Sequence, residues 1–144
     1  MEKFSLLIRP FKMDDKFEVV NLWQKCNLCV PWNDPYKDIS RKMKILPKLF
    51  LVGITDEKIV ASIMGGYDGH RGWINYLAVH PKFQKYGFAR KILENLENKL
   101  KLLGCPKINL QIRYGNDNVI SFYEKVGFVR DKAISMGKRL QIDN

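Results

Sequence analysis

The sequence has no long apolar run. Of its 144 residues, 46% are hydrophobic. The longest apolar stretches, such as residues 49–52, are nevertheless far shorter than the roughly 20 residues that cross a bilayer as a helix. The first residues do not have the layout of a signal peptide, because charged side chains follow a very short apolar stretch. We therefore expect a cytoplasmic protein that makes no contact with a membrane.

Cysteine and histidine are scarce: the chain has three cysteines and two histidines. Cys26 and Cys29 have C-x-x-C spacing, which suits a redox pair or half of a zinc site. A structural zinc needs four ligands, however, and His70 and His80 stand alone in the sequence. A thioredoxin-type pair should precede a helix, whereas this pair ends one. We expect reduced cysteines that pack in the protein, and no metal site.

The sequence also lacks internal repeats, low-complexity tracts and flexible linkers. Its net charge of +10 favours an anionic ligand or partner. The lysines and arginines are scattered along the chain, without the alternation of basic and aromatic residues that is typical of a nucleic-acid-binding arm. Length and composition therefore predict a single domain, residues 1–144, with no nucleic-acid partner.

Clear hydrophobic periodicity is present, and it predicts strands where it alternates and helices where it repeats every 3.6 residues. The predicted strands are residues 4–9, 49–54, 58–66, 73–79, 108–113, 128–130 and 133–140. One predicted helix starts near Asp14 or Asp15 and continues to Cys26. The others are residues 37–46, 87–103 and 119–126, and residues 31–35 form a loop. This order indicates an α+β or mixed α/β fold, with helices on the faces of a sheet.

The longest predicted helix follows a loop at residues 84–89, Gln-Lys-Tyr-Gly-Phe-Ala. Such a loop presents unpaired backbone N–H groups and the positive end of the helix dipole, which together form a site for a pyrophosphate. Taken alone, the loop is equally compatible with an ordinary helix N-terminus. Residues 116–128 have the composition to complete the same site. The two segments together suggest a transferase that uses an acyl carrier with a diphosphate.

Both segments resemble signatures of the GNAT N-acetyltransferases. Residues 76–81, Tyr-Leu-Ala-Val-His-Pro, followed by Gln-x-x-Gly-x-Ala, resemble the acetyl-CoA signature. Residues 116–128, which begin with Asn and end with Tyr-Glu-Lys-x-Gly-Phe, resemble the second signature. The segments 31–35 and 65–72 resemble more narrowly the YpeA-type bacterial members. Over essentially the whole chain, the resemblance implies a mostly antiparallel central sheet with a splayed parallel strand pair and helices on both faces.

The resemblance implies an acyl-CoA-dependent N-acyltransferase that moves acetyl from acetyl-CoA (coenzyme A) to a primary amine by direct transfer in a ternary complex. The cofactor's pantetheine arm would pair with the backbone of Leu77 and Val79, and N–H groups near Leu77 and Ala78 would stabilise the oxyanion. Asn116 would bond the arm, cap a helix, or do both. The implied cofactor-binding residues are Leu77, Ala78, Val79, Gln84, Lys85, Tyr86, Gly87, Phe88, Ala89, Arg90, Asn116 and Phe122.

Tyr123 matches the tyrosine that lies near the thioester sulfur in the family. The resemblance implies that it is the general acid, which protonates a leaving thiolate whose thiol pKa is about 8.5. A core aromatic on the apolar stripe of its helix is the alternative, and the two roles are compatible.

The base that deprotonates the acceptor amine is harder to assign. Some family members use a glutamate on a central strand, where this chain has Gln111, and residues 73–79 contain no aspartate or glutamate. The candidates are a water held by Asn75, Tyr76 or Gln111, an acceptor amine of low pKa, or His70.

For the acceptor site the candidates are Trp32, Tyr67, Asp68, Asn75, Gln111 and Arg113. Asp68 suits a cationic amine and Arg113 a carboxylate. We expect the acceptor to be a small-molecule or protein amine, and the protein to be a monomer or homodimer. The competing hypotheses are a non-catalytic CoA-binding sensor or docking module and, less favoured by the sequence, a basic nucleic-acid-binding domain.

Overall fold

The computed structural model describes residues 4–143. They form two compact units: one contains residues 4–109 and Asp143, and the other contains Leu110–Ile142. The first unit contains β1 (Leu7–Pro10), α1 (Lys16–Lys25), α2 (Pro35–Lys42), β2 (Phe50–Thr55), β3 (Lys58–Tyr67), β4 (Gly72–Val79), α3 (Phe88–Leu102) and β5 (Ile108–Asn109). The second contains α4 (Asp117–Lys125). That all 144 residues form one domain stays a prediction.

The sheet follows chain order from β1 to β5. The first four strands pair antiparallel, whereas β5 runs parallel to β4. The parallel contact comprises two residue pairs, Gly72 with Ile108 and Trp73 with Asn109. Within residues 4–143, the ladder between these strands does not continue along the rest of β4. The predicted mostly antiparallel sheet with a parallel pair that separates is therefore confirmed.

Helices cover both faces of this sheet. On one face, Trp23 of α1 and Ile39 of α2 belong to a buried apolar cluster with Phe50 and Met64. On the other face, a Cβ added to Gly65 would lie 2.3 Å from a methyl carbon of Leu96 in α3. Side chains at odd spacing along a strand point to opposite faces, which explains how β3 contacts both layers. The close approach of α3 explains why position 65 has no side chain.

The start of α2 corrects the predicted boundary. We expected a loop through residue 35 and a helix over residues 37–46, whereas α2 is Pro35–Lys42. The carboxylate of Asp34 accepts hydrogen bonds from the N–H groups of Tyr36, at 2.9 Å, and Lys37, at 3.4 Å. Asp-Pro is therefore an N-cap followed by a first-turn proline, a signal that was present in the sequence.

Three predicted strand assignments are wrong. The strand expected at residues 108–113 ends at Asn109, and those expected at 128–130 and 133–140 are not formed among the described residues. Apolar alternation is a local signal, but a strand forms only when a neighbour completes its ladder. In the second unit the side chains of Ile134, Met136 and Leu140 are instead largely exposed.

Candidate active site

The loop at residues 84–90, hereafter the phosphate loop, has a special backbone conformation. Gly87 precedes the first residue of α3 with φ of 78°, and Lys85 has φ of 75°. A Cβ added to Gly87 would meet no described atom within 4 Å. Glycine is therefore required here by the left-handed backbone and not by crowding.

Aromatic side chains in and near this loop pack against one another and anchor it. Phe88 is buried, and its ring lies 6.0 Å from the ring of Tyr86 and 6.4 Å from that of Phe83. Phe4 makes edge contacts with both Phe83 and Tyr86. Because its side chain points into the protein, Phe88 can contribute to a ligand site only through its backbone N–H.

The donor groups of the loop fit a diphosphate. The N–H groups of Phe88, Ala89 and Arg90 belong to the first turn of a 15-residue helix, where no helical acceptor is available. The side chains of Lys85 and Arg90 are exposed cations, and the first turn has no acidic residue. Backbone donors, helix dipole and side-chain charge therefore all favour an anion at this position.

The end of β4 is hydrogen-bonded both to Cys26, the residue that follows α1, and to the phosphate loop. The carbonyl oxygen of Val79 accepts hydrogen bonds from the thiol of Cys26 and from the side-chain amide of Gln84, both at 3.3 Å. Burial raises the pKa of the Cys26 thiol, so the group remains a protonated donor. The sequence predicted a packing role for Cys26 but did not indicate this contact with a predicted cofactor-binding residue.

A β-bulge interrupts β4 at Tyr76 and Leu77. These two residues lie opposite Ile63 alone, because Asn75 pairs with Met64 and Ala78 pairs with Ser62. Tyr76 has φ of 52°, a left-handed conformation that is unusual for an aromatic residue. Of the predicted cofactor-binding residues that follow, Ala78 is buried and Leu77 and Val79 are half-buried.

Side chains from three elements hold Tyr76. Its ring stacks on Trp23 at 3.7 Å between centroids, its hydroxyl donates to a carboxylate oxygen of Asp38 at 2.6 Å, and its carbonyl accepts from the hydroxyl of Ser62 at 2.8 Å. Burial, and secondarily the hydrogen bond to Asp38, raise the pKa of Tyr76. The phenol therefore stays protonated. No motif or periodicity in the sequence indicated that Trp23, Asp38 or Ser62 would contact Tyr76.

Asp68, predicted to attract an amine, closes the turn between β3 and β4. One carboxylate oxygen accepts from the N–H groups of His70 and Arg71 at 2.8 and 2.7 Å, and the other accepts from the indole of Trp73 at 3.2 Å. The two backbone N–H bonds and then the indole bond lower the pKa of Asp68 to about 2. A role in acceptor binding stays a prediction and would be additional to this bonding.

The other acceptor candidates differ in their surroundings. In the first unit, the side chain of Trp32 is 54% exposed and Asn75 is exposed, while the hydroxyl of Tyr67 donates to the carbonyl of Gly69 at 3.4 Å. In the second unit, Arg113 is exposed and the side-chain amide of Gln111 donates to the hydroxyl of Ser135. Their roles toward an acceptor remain predictions.

In the second unit, Asn116 occupies the N-cap position of α4, but its side chain makes no capping hydrogen bond. The side chain is exposed. Of the two predicted roles, capping is therefore not used in this structure, and the amide is available to a ligand.

Tyr123 is buried in α4. Its ring makes edge contacts with Phe122 at 5.2 Å and with Phe128 at 5.3 Å, which fits the core role. Gly127, with φ of 102°, ends the helix, and the N–H of Phe128 donates to the carbonyl of Tyr123. Burial raises the pKa of Tyr123, so the phenol keeps its proton, as a general acid must before transfer.

Within residues 4–143, no group of three or more histidine, cysteine, aspartate and glutamate side chains is arranged to hold a metal ion. No helix there is long and apolar enough to cross a membrane.

Comparisons with known proteins agree with the geometry. Residues 17–128 match the model of the Acetyltransferase (GNAT) family. An acetyltransferase of Yersinia pestis (strain Pestoides F) is 50% identical over 136 residues, which cover 94% of this chain and 96% of the relative. The narrower likeness to YpeA-type members stays a prediction.

Solved structures share the fold. The NatC complex bound to Gag peptide and CoA has a TM-score of 0.75 at 23% identity, with 89% of this chain and 87% of that chain covered. The ribosomal-protein-S18-alanine N-acetyltransferase from Escherichia coli has a TM-score of 0.75 at 21% identity, with 89% and 80% covered. The family model and the 50%-identical relative decide the classification: this chain belongs to the GNAT acetyltransferase family and is an N-acetyltransferase.

Proposed function

We propose that the protein uses acetyl-CoA and transfers the acetyl group directly to a primary amine in a ternary complex. The phosphate loop carries this proposal, because Gly87 and the start of α3 provide the backbone donors that a diphosphate requires. CoA is bound in the structurally similar NatC complex, and the family match supports the same cofactor here.

In this proposal each group of residues has a separate task. Acetyl-CoA, when bound, supplies the acetyl group as a thioester. The N–H groups of residues 85–90 hold the diphosphate, while the backbone of Leu77 and Val79 and the side chain of Asn116 hold the pantetheine arm. N–H groups near Leu77 and Ala78 stabilise the thioester oxygen as it gains negative charge. As the amide C–N bond forms and the thioester C–S bond breaks, the hydroxyl of Tyr123 would give its proton to the departing thiolate sulfur, and it would regain a proton from solvent before the next turnover.

The acceptor amine must lose a proton before or during attack. A lysine-like amine has a pKa of about 10.4 and is almost entirely protonated at neutral pH. β4 has no carboxylate, and Tyr76 keeps its proton because of burial and its bond to Asp38. We therefore assign deprotonation to a water held by Asn75 or Gln111, or to the use of an acceptor whose pKa is already low.

The proposal is tested by comparing two thioesters. Acetyl-CoA should raise the melting temperature, because a ligand at about 100 times its Kd stabilises the folded state by roughly 2.7 kcal/mol. S-acetylpantetheine, which lacks the diphosphate, should give a much smaller shift. Equal shifts, or none at millimolar acetyl-CoA, would contradict a diphosphate site. Consumption of the thioester with a panel of primary amines then identifies the acceptor class.

A further inference from the structure

The bulge of β4 determines the direction of one backbone donor. The carbonyl of Tyr76 and the N–H of Leu77 belong to one planar peptide group, and the described residues contain no cis peptide bond. In a trans peptide these two groups point in opposite directions. Because the Ser62 hydroxyl holds the carbonyl at 2.8 Å, the direction of the Leu77 N–H is fixed as well.

The conformation that produces this direction needs support. Tyr76 occupies a left-handed region that is unfavourable for a bulky residue, and such conformations persist where the surrounding structure enforces them. The stacked ring of Trp23 holds the side chain from one side, and its indole N–H donates to Ser62 at 2.9 Å. The same hydroxyl of Ser62 therefore links Trp23 to the bulge.

The remaining contact comes from α2. Asp38 accepts a hydrogen bond from the Tyr76 hydroxyl at 2.6 Å and a longer one from Arg41 at 3.4 Å, and its own side chain is 24% exposed. The position of α2 is in turn fixed by the Asp34 N-cap and by Arg41, which pairs with Asp143 at 2.7 Å. A carboxylate acceptor gives a stronger hydrogen bond than a neutral one, so Asp38 holds the tyrosine firmly.

We propose that Asp38 and Tyr76 are positioning residues for acetyl transfer, which act by holding the bulge so that the Leu77 N–H points at the thioester oxygen. This inference rests on the proposed function. It gives α2 a role in catalysis, since a change in α2 would be transmitted through Asp38 to a donor that binds the reacting carbonyl. Neither residue needs to touch the substrate.

The test uses two conservative variants, Tyr76→Phe and Asp38→Asn, and their combination. Tyr76→Phe keeps the ring on Trp23 and removes only the hydroxyl. We expect kcat to fall about tenfold in each single variant, since small misplacement of a reacting group is costly, with the KM for acetyl-CoA nearly unchanged. Asp38→Asn weakens the same contact, because its amide oxygen is a neutral acceptor. The kcat of the double variant should therefore fall no further than that of the more impaired single variant. Tyr36→Phe in α2 and Asp56→Asn in the turn after β2 are the matched controls.

Amide hydrogen exchange gives a readout that does not depend on activity. In the apo protein, exchange at Leu77 and Ala78 should be faster in Tyr76→Phe and Asp38→Asn, with exchange at residues 85–90 unchanged. The proposal is overturned if the variants keep wild-type kcat, if their effects multiply in the double variant, or if exchange at the bulge is unaltered. If the wild-type protein itself neither binds nor consumes acetyl-CoA, the proposed function fails instead.

Discussion

The phosphate loop and the bulge of β4 are both backbone features with left-handed residues, but they are held in different ways. At the loop, Gly87 accepts the conformation without strain, the exposed Lys85 also adopts it, and neighbouring aromatic rings anchor the segment. At the bulge, a tyrosine adopts a comparable φ, and contacts from Trp23, Asp38 and Ser62 hold it.

This difference has consequences for tolerance to mutation. The donors of the loop are peptide groups, so most exposed side chains there can change with little effect on the fold. The bulge depends on side chains that are 14 to 53 residues away in the sequence. We therefore expect side-chain substitutions to affect the bulge more than the loop, and backbone-altering substitutions to affect the loop.

The largest effect is expected at the leaving thiolate, for which neither the phosphate loop nor the bulge of β4 provides the proton in the proposed mechanism. Tyr123→Phe removes the proposed proton donor, and general acid catalysis contributes roughly 10²–10⁴-fold. We expect kcat to fall by about 100-fold with the Kd for CoA nearly unchanged, as measured by thioester kinetics and calorimetry. Tyr114→Phe, at a fully exposed tyrosine of the same unit, is the control. Wild-type turnover in Tyr123→Phe would remove this residue from the mechanism.

At the loop, Gly87→Ala should weaken CoA binding about tenfold. A side chain in the left-handed region costs roughly 1–2 kcal/mol. We expect the free loop of the variant to relax away from this conformation, so that CoA must restore it on binding, and 1.4 kcal/mol corresponds to a factor of ten in affinity. Calorimetric titration with CoA measures the change. Gly69→Ala introduces similar strain, at φ of 90° and also in open space, but outside the loop. If both variants lost CoA affinity equally, strain alone and not the loop would explain the result.

At the bulge, Ser62→Ala should destabilise the protein by about 1–3 kcal/mol, because it leaves the Trp23 indole N–H and the Tyr76 carbonyl without their partner. Gln84→Ala, which removes one exposed side-chain bond at the loop, should change stability by less than about 0.5 kcal/mol. Urea unfolding compares them, with the exposed Ser121→Ala as control. Similar losses at positions 62 and 84 would contradict the distinction between the two regions.

The smallest effect is expected at Asp143, which pairs with Arg41 of α2, the helix that carries Asp38. The Arg41 hydrogen bond and then the Asp34 N–H lower the pKa of Asp143 to about 2, below its usual value near 3.9. A lowered pKa stabilises the folded state above the unfolded pKa, and this stabilisation is lost as the pH falls through about 2. Asp143→Asn should therefore have a lower melting temperature near neutral pH, with the difference shrinking from pH 4 to pH 2. A difference that does not change over this range would contradict the assignment.

Local signals in the sequence were sufficient for most of the fold. The 3.6-residue apolar repeat predicted α3 to within a residue at each end, and the strands of the antiparallel part lie close to their predicted bounds. The strands predicted after residue 109 were wrong because alternation does not specify a partner. At the site, the phosphate loop was recognisable because its glycine and helix start are adjacent in the chain.

The sequence by itself determined the elements whose cause is local: the left-handed glycine before α3, the apolar face of that helix, and the family signature they carry. The tertiary structure alone decided that Trp23, Asp38 and Ser62 meet at Tyr76. Their contacts join α1, α2, β3 and β4, and no periodicity within any one element encodes them. A positive φ at a tyrosine is unfavourable in the isolated chain, and it becomes stable only when these distant side chains surround it.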